Sequence, residues 1–469
     1  MMNIDSNKTN TKSNLYVLIA GPALAILVGV LSFSSQLPQP IAYTLAITSW
    51  VALWWVFEPV PIPVTSLLPF VLFPAAGVLT HKQAAMGLGS HVILLLMGGF
   101  MLAKGIENSG LHKRLAMSLL KLTGSRSGRP LVFAFMASGA LLSMWISNTA
   151  RCLVLLPIAL AVLNQLEDDG LAVPLILGVA FSCNIGGIAT LIGTPPNLVF
   201  AGVYESYTGE EFSFFAWLKL GLPIVILGLP LTALWLTRGL KKGQKVDLPS
   251  LGQWCSHERR ALAVFSLVIL LWVFRLEPFG GYSAFLGLQN VGDSTVALLG
   301  VVLMCVIPAQ KKSAKPILTW QQAADIPWGM LMLFAGGIVL AKAFQESGTA
   351  QMLGEALQGI EGLPPYLLIF GICLSITFLT ELTSNVATTT LFMPVMAAAA
   401  TAASLPLEVM MLPAAMSASC AFMLPVATAP NVIAFGTGRV TIRRMMSEGL
   451  VLNLMMAVII ASVLYLSLF

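Results

Sequence analysis

Long apolar runs separated by short polar loops dominate the chain from Leu15 to Phe469. An α-helix of about 20 apolar residues is long enough to cross a hydrocarbon core of roughly 30 Å. The pattern therefore predicts an all-α polytopic membrane protein with about eleven transmembrane helices. The predicted spans lie near residues 15–33, 41–57, 60–79, 91–107, 173–200, 216–236, 260–276, 294–309, 328–345, 408–435 and 447–468.

Two more apolar segments, 131–163 and 365–400, carry polar residues in the middle. We interpret each as a re-entrant hairpin, which leaves the membrane on the side where it entered. Because Lys and Arg concentrate in the cytoplasmic loops of membrane proteins, their positions test this interpretation. With two hairpins and a cytoplasmic N-terminus, most Lys and Arg residues fall in cytoplasmic loops, and the C-terminus lies outside. A full crossing at 131–163 would invert every later loop.

Composition agrees with a membrane location and excludes several classes of function. Of the 469 residues 57% are hydrophobic and 10% charged, and the mean hydropathy is +0.87, which excludes a soluble enzyme. The net charge of +5 is spread over short loops, so we expect no nucleic-acid partner. The six cysteines form no CxxC pair and the four histidines show no ligand spacing. We therefore expect neither a disulfide framework nor a metal enzyme.

Three motifs of the first half recur in the second half, in the same order and at offsets between 234 and 238 residues. In the predicted topology the two copies of the first motif cross the membrane in opposite directions, so the repeat is inverted. Secondary transporters use inverted repeats to build a binding site at the membrane midplane. The matches are GGFMLAKGIENSG (98–110) with GGIVLAKAFQESG (336–348), WISNTARCLVLLP (145–157) with LTSNVATTTLFMP (382–394), and TPPN (194–197) with TAPN (428–431).

Polar or proline-containing sequences interrupt four of the apolar segments, two at the hairpin tips and two inside predicted spans. Backbone that leaves a helix inside a bilayer survives only where protein or an aqueous cavity supplies hydrogen-bond partners. We therefore expect these four breaks to line one polar site at mid-depth. They are SNTA (147–150), IGTPPN (192–197), SNVA (384–387) and VATAPN (426–431).

Each break offers two kinds of chemistry. Free N–H groups at the start of a helix attract anions such as a carboxylate or sulfate. Carbonyl groups together with Ser, Thr and Asn oxygens suit a hard cation such as sodium. The alternative is that these small polar residues merely join helices, but two Ser-Asn pairs related by the repeat favour a binding site. The oxygen donors are Ser143, Ser147, Asn148, Thr380, Thr383, Ser384 and Asn385.

These motifs resemble the signature of the divalent anion:sodium symporter family, which carries a Ser-Asn-Thr motif at each hairpin tip. The resemblance covers essentially the whole chain and includes WWVFEPVPIPVTSLLP (54–69). It implies a homodimer in which a transport part moves like an elevator against a scaffold part. The implied scaffold segments are 1–130 and 241–364, and the implied transport segments are 131–240 and 365–469.

The resemblance also implies site residues, with sodium as the coupling ion and without an organic cofactor. The first sodium site would comprise Ser143, Ser147, Asn148 and Gly193, and the second Thr380, Thr383, Ser384, Asn385 and Ala427. The substrate carboxylates would meet Asn148, Thr149, Asn385, Val386, Thr428 and Ala429.

Three positions depart from the family pattern. Val386 stands where a hydroxyl is usual, Ala429 where proline is common, and Arg151 where a small or hydroxyl residue is usual. We expect Arg151 to lie near the anion site, where it assists substrate binding or replaces a coupling cation. The alternative is that Arg151 snorkels or pairs with an acid among residues 167–169.

Few other ionisable residues lie within predicted membrane segments. Glu381 precedes Ser384 by three residues and is either a proton relay or the partner of a neighbouring hydroxyl. Lys104 and Lys342 occupy matching positions of the repeat, where snorkelling to the membrane surface explains them.

The function that follows is secondary active transport across the inner membrane of the cell. We expect sodium-coupled import of dicarboxylates such as succinate, malate or fumarate, or of citrate, by a homodimer surrounded by membrane lipid. Sodium-independent dicarboxylate exchange and sodium/sulfate symport are the alternatives. An anion channel would need a continuous polar pore, and a membrane enzyme would need a nucleophile with a base.

Overall fold

The computed structural model describes residues 6–123, 128–146, 148–166, 169–240, 252–277, 279–310, 315–356 and 363–469. Within these ranges the chain is helical, with no strand beyond an isolated bridge between Pro308 and Pro316. The all-α prediction is therefore confirmed.

In chain order the helices are α1 (Ser6–Ser34), α2 (Gln39–Phe57), α3 (Ile62–Thr65), α4 (Leu68–Ala75), α5 (His81–Leu88), α6 (His91–Ser109), α7 (Leu111–Thr123), α8 (Arg129–Ser143), α9 (Asn148–Leu166), α10 (Asp169–Gly187), α11 (Pro195–Thr208), α12 (Phe214–Leu236), α13 (Ser256–Val273), α14 (Gly281–Phe285), α15 (Asp293–Val306), α16 (Trp320–Ala324), α17 (Trp328–Glu346), α18 (Thr349–Ala356), α19 (Pro365–Thr380), α20 (Asn385–Ala402), α21 (Leu407–Ser417), α22 (Ala429–Gly436) and α23 (Ile442–Leu468). A 3-10 turn at Pro425–Ala427 precedes α22.

Eight helical segments of the described chain are long and apolar enough to cross a membrane. Six further apolar helices are shorter, and most of them are arms of the two hairpins or pieces of broken helices. The eight are Leu15–Ser34, Gln39–Phe57, His81–Ser109, Gly170–Gly187, Phe214–Leu236, Trp328–Glu346, Asn385–Ala402 and Ile442–Leu468.

One predicted span is wrong in detail. Residues 60–79 do not form one helix but the two short helices α3 and α4. Pro69 lies in the first turn of α4 and has no N–H group to bond the carbonyl of Thr65, which favours a helix start at this position. The span predicted at 173–200 is likewise divided, as its interruption led us to expect, into α10 and α11.

The helices α5 and α16 were not predicted. Each begins with a capping box, in which a threonine and the glutamine three residues later bond each other's backbone N–H groups. These pairs are Thr80 with Gln83 and Thr319 with Gln322. Because the spacing Thr-x-x-Gln is visible in the sequence, both helix starts could have been found.

The sequence repeat is also a repeat of structure. The helices α6 to α12 and α17 to α23 follow one order: a helix of 19 residues, an amphipathic helix, a two-helix hairpin, a broken helix and a long closing helix. The hairpin arms have 15 and 19 residues in the first half and 16 and 18 in the second. Each segment predicted as a hairpin is therefore a pair of helices, and the described residues between the two helices are not helical.

A close backbone contact holds the first broken helix against its hairpin. α10 packs along α8, and a Cβ atom added at Gly186 would overlap the backbone of Ala140. Because α10 ends one residue later, at Gly187, this contact fixes where the first break begins.

We predict that Gly186→Ala destabilises the protein, because the new methyl group has no space beside Ala140. Overpacking of this kind costs about 1–3 kcal/mol. The matched control is Gly371→Ala in α19, where an added Cβ meets no atom within 4 Å. Thermal unfolding of the purified protein should show a lower Tm for Gly186→Ala and no loss for Gly371→Ala. Equal Tm values for the two variants would contradict the packing.

Candidate substrate and cation site

The two hairpin tips and the two helix breaks surround one cavity of about 700 Å³. α8 ends at Ser143 and α9 begins at Asn148, while α19 ends at Thr380 and α20 begins at Asn385. Both tips are therefore non-helical, and both asparagines face the cavity. Of the predicted site residues, those lining it are Asn148, Gly193, Ser384, Asn385, Val386, Ala427, Thr428 and Ala429.

Three predicted residues do not line the cavity. Ser143 and Thr380 are fully buried, and Thr383 is partly exposed and donates its hydroxyl to the carbonyl of Leu379 at 3.0 Å. Ser147 lies outside the described residues, and for Thr149 the described structure gives the backbone alone.

The two half-sites have the same polar geometry. In the first half, Ser143 Oγ lies 3.4 Å from Asn148 Oδ1 and bonds the carbonyl of Cys183. In the second half, Thr380 Oγ1 lies 2.7 Å from Asn385 Oδ1 and 3.1 Å from the carbonyl oxygen of Ala418. A hydroxyl, an amide oxygen and a backbone carbonyl thus meet twice, which is an all-oxygen environment of the kind sodium accepts.

Each broken helix is stabilised by an asparagine that sequence analysis left without a role. Asn197 donates its Nδ2 to the carbonyls of Gly187 and Thr190 at 3.0 and 2.8 Å. In the second half, Asn431 Nδ2 donates to the carbonyls of Ala421 and Leu424, both at 3.0 Å. Both asparagines could have been found in the sequence, because each is the last residue of the repeated TPPN and TAPN motifs.

The second half-helices begin alike despite different proline content. Thr194 precedes α11 with φ −139° and ψ 150°, and Thr428 precedes α22 with φ −142° and ψ 152°. One proline, Pro430, is therefore sufficient, and Ala429 does not change the shape of the break. Both helix starts lie at the cavity, but Pro195 and Pro196 have no N–H group and the N–H of Asn431 bonds Thr428 Oγ1. The N-termini of α9 and α20 at the hairpin tips also lie at the cavity, where helix N–H groups suit an anion.

Hydrogen bonds connect the halves across the site. Asn184 on α10 donates to Thr428 Oγ1 and to the carbonyl of Ala421, both at 3.2 Å, and the hydroxyls of Thr194 and Ser419 lie 3.0 Å apart. Thr428 matches Thr194 in the TAPN and TPPN motifs, and Asn184 and Ser419 each follow the residue whose carbonyl accepts a hairpin hydroxyl. A comparable brace is therefore made twice.

Arg151 lies within the first half-site. It is one helical turn after Asn148 on α9, and 1% of its surface is exposed. Its Nη2 donates to Asn148 Oδ1, the oxygen that Ser143 also approaches. Such burial shows that the snorkelling alternative is wrong. The side chains of the acids at 167–169 lie outside the described part of the chain.

Glu381 and Lys104 have partners other than those expected. Glu381 bonds no hydroxyl in the described structure; it accepts three backbone N–H groups and one amide N–H.

Lys104 forms an ion pair with Asp325 at 2.8 Å at the rim of the cavity, with Glu107 4.0 Å away. Lys342 pairs with Glu346 at 2.8 Å. These ion pairs, rather than snorkelling alone, account for the two charged side chains within predicted membrane segments.

The described residues contain no group of three or more His, Cys, Asp or Glu that could hold a metal ion. The oxygen atoms described at the two half-sites belong to hydroxyl, amide and carbonyl groups. Paired hairpin tips that face a cavity between two broken helices define the class of polytopic secondary transporters built from inverted repeats.

Comparison with known proteins identifies the family. Residues 52–412 match the family described as citrate transporter. The sodium-dependent dicarboxylate transporter SdcS of Staphylococcus saprophyticus is 39% identical over 99% of this chain and 93% of its own length. SdcS of Staphylococcus aureus is 38% identical over 98% of this chain and 92% of its length. The chain belongs to the citrate transporter family, and its resemblance to the divalent anion:sodium symporters is confirmed.

A solved structure shares the fold. The YdaH transporter of Alcanivorax borkumensis superposes with a TM-score of 0.55 over 81% of this chain and 86% of that chain. With 16% sequence identity, this likeness concerns the fold alone.

We predict that the cavity is accessible to water at the second tip. Val386 lines the cavity, whereas Ala397 lies on the same helix and is fully buried. In a background with Cys255 and Cys305 replaced by serine, Val386→Cys should react with a polar maleimide and Ala397→Cys should not. Labelling is measured by mass shift of the purified protein. Equal reactivity of the two cysteines would contradict the cavity.

Proposed function

We propose that this protein imports dicarboxylates such as succinate, malate or fumarate together with sodium ions. The observation that carries the proposal is the pair of hairpin tips and helix breaks around one cavity. Each half supplies oxygen atoms for a hard cation behind its asparagine, and each supplies helix N–H groups for an anion. A carrier that binds both ions at one depth couples their movements.

The relatives support the choice of ions. Two of them are named sodium-dependent dicarboxylate transporters, and the family is described as citrate transporter. A cavity of about 700 Å³ is within the usual range for small-molecule sites and also admits citrate. Citrate and sulfate are therefore the competitors to test against succinate.

Electrical energy favours sodium coupling for an importer. Bringing a dianion into a cell with a negative interior costs about 4.6 kcal/mol per 100 mV, at about 2.3 kcal/mol per charge. Three sodium ions would make the loaded carrier net positive and reverse the sign of this energy. Exchange of equal charges needs no such compensation.

In this proposal the binding roles follow the two half-sites. The first sodium site comprises Ser143, Ser147, Asn148 and Gly193, and the second Thr380, Thr383, Ser384, Asn385 and Ala427. The substrate carboxylates bind at Asn148, Thr149, Asn385, Val386, Thr428 and Ala429.

The proposed movement is that of an elevator. Segments 131–240 and 365–469 form the transport part, and the two cross-repeat braces, Asn184 to Thr428 and Thr194 to Ser419, support their movement as one body. Segments 1–130 and 241–364 form the scaffold and the homodimer contact in the inner membrane. The rim of the cavity at Lys104 and Asp325 belongs to segments predicted to be cytoplasmic, so the proposed state is inward-facing.

The test is uptake of radiolabelled succinate by liposomes that contain the purified protein. We expect accumulation when sodium is outside, stimulation by a negative-inside potential, and inhibition by unlabelled malate or fumarate. Replacement of sodium by potassium should abolish accumulation. Asn385→Ala should reduce uptake at least about tenfold, because it removes an oxygen that the second half-site shares with Thr380. Absence of sodium-driven uptake in the wild-type protein would reject the proposal.

The second candidate function is sodium-independent dicarboxylate exchange, and Arg151 is the observation that favours it. Its guanidinium contacts Asn148 Oδ1, an oxygen that the first sodium ion would use. A fixed cation there moves with the carrier in both directions and adds no net charge to a transport cycle. Arg151 would thus lower the number of coupled sodium ions, and at the limit it would leave an exchanger.

Arg151→Thr separates these cases, because Thr388 occupies the matching position of the second half. In a sodium symporter with one site occupied by Arg151, we expect the variant to show a steeper dependence of succinate uptake on sodium. The measurement is the Hill coefficient for sodium in liposomes. Wild-type succinate counterflow without sodium would establish exchange, and an unchanged Hill coefficient in Arg151→Thr would reject replacement of a sodium ion.

A further inference from the structure

Glu381 is a buried carboxylate at the tip of the second hairpin, with 3% of its surface exposed. Its Oε1 accepts the backbone N–H groups of Phe422 and Met423 at 2.6 and 2.8 Å, and its Oε2 accepts that of Leu424 at 3.0 Å. Asn453 on α23 donates its Nδ2 to Oε1 at 2.8 Å. Four donors from two different elements therefore converge on one side chain.

Three of these donors belong to the unwound part of the second broken helix. α21 ends at Ser417, so residues 422–424 have no helical carbonyl to bond, and an unpaired N–H group is costly inside a membrane. α23 also packs against this segment, since a Cβ at Gly449 would overlap the carbonyl of Phe422. The unwound peptide is thus held by Glu381 and packed against α23.

The break in the first half of the repeat is held by neutral groups. Met144 occupies the tip position that matches Glu381, and its backbone carbonyl accepts the hydroxyl of Thr190. Trp217 on α12 donates its indole N–H to the carbonyl of Ile188 at 2.8 Å. A carboxylate at the break is therefore a property of the second half.

The two half-sites consequently differ in charge although their oxygen geometry is alike. The cation of Arg151 contacts Asn148 in the first half, while the anion of Glu381 directly follows Thr380 in the second. Thr380 in turn contacts Asn385 and the carbonyl of Ala418. In surroundings of low dielectric constant, a nearby negative charge favours a bound cation and a nearby positive charge opposes it.

We propose that Glu381 is the positioning residue that makes the second half-site the high-affinity sodium site. Glu381 fixes the unwound peptide at 422–424 and thereby orients the segment that presents the Ala418 carbonyl. In addition, its negative charge attracts the sodium ion. The inference rests on the proposed sodium coupling and adds the order in which the two half-sites bind sodium. Sodium binds first in the second half, and Arg151 biases the first half against it.

The experiment compares Glu381→Gln with wild type in succinate uptake by liposomes over a range of sodium concentrations. Glutamine has nearly the same shape but no charge, and its NH₂ group would face a backbone donor. We expect the sodium concentration for half-maximal uptake to rise at least about tenfold. The KM for succinate and the maximal rate, both at saturating sodium, should stay within about twofold of wild type. Glu381→Asp, which retains the charge, should restore part of the sodium affinity.

Glu408→Gln is the matched control, because it removes a carboxylate of the same half that accepts the hydroxyl of Tyr204 at 2.8 Å. Its half-maximal sodium concentration should equal that of wild type. If Glu381→Gln fails to fold, Asn453→Ala removes one of the four donors and should raise the half-maximal concentration by about threefold. Sodium-dependent thermal stabilisation of the purified variants provides the same comparison without transport.

A lower maximal rate of Glu381→Gln with unchanged sodium dependence would overturn the positioning role and leave a structural one. Equal shifts in Glu381→Gln and Glu408→Gln would overturn it as well, and so would unchanged sodium dependence of Asn453→Ala where Glu381→Gln is unfolded. The wild-type protein is measured in parallel. Its failure to respond to sodium would reject the proposed function, whereas a sodium-dependent wild type with an unaltered Glu381→Gln variant rejects this inference alone.

Discussion

The need to pair every backbone N–H and C=O group inside a membrane governs the structure of the site. A helix meets this need by itself, and a broken helix does not. At each break a side chain from another position supplies the missing partner: Asn197 in the first half, and Asn431 with Glu381 in the second. The same bonds keep carbonyl groups and helix N-termini available at the cavity. Stability of the break and chemistry of the site therefore depend on one set of residues.

The two halves of the site repeat the same arrangement of polar groups. They differ in their buried charges. The hydroxyl, amide and carbonyl groups recur in matching positions, and the braces between the halves recur too. The buried charges do not recur, because Arg151 and Glu381 lie in opposite halves. In the proposed mechanism this difference in charge makes the two oxygen sites unequal for cations, which suits a carrier that binds and releases ions in sequence.

Sequence analysis predicted the parts of this architecture that have local signals. Apolar runs predicted the helices, and polar residues within two of these runs predicted the hairpins. The three matched motifs predicted the repeat, which the structure shows in α6 to α12 and α17 to α23. The span at 60–79 was wrong because hydropathy does not register that Pro69, in the first turn of α4, favours a new helix start at that position. Capping boxes at Thr80 and Thr319 were present in the sequence and would have revealed α5 and α16.

The site was predictable to the level of which segments meet, and less so for individual contacts. Asn148 and Asn385 reach the cavity as expected, but Ser143 and Thr380 act from behind it, because a hairpin tip places adjacent turns at different depths. The partners of Glu381 are distant in sequence, as Asn453 is 72 residues away, and no local pattern encodes such a contact. Arg151 was recognised as unusual from its position in the repeat, while its contact with Asn148 required the fold.

The central claim is that the two halves jointly hold an anion and sodium between facing tips. A cryo-electron microscopy map of the protein in lipid nanodiscs, with sodium and succinate present, tests it most directly. The account predicts density for a dicarboxylate between Asn148 and Asn385, and a cation enclosed by Thr380, Asn385 and the Ala418 carbonyl. Substrate density bound to one tip alone, or outside the cavity between the tips, would contradict it.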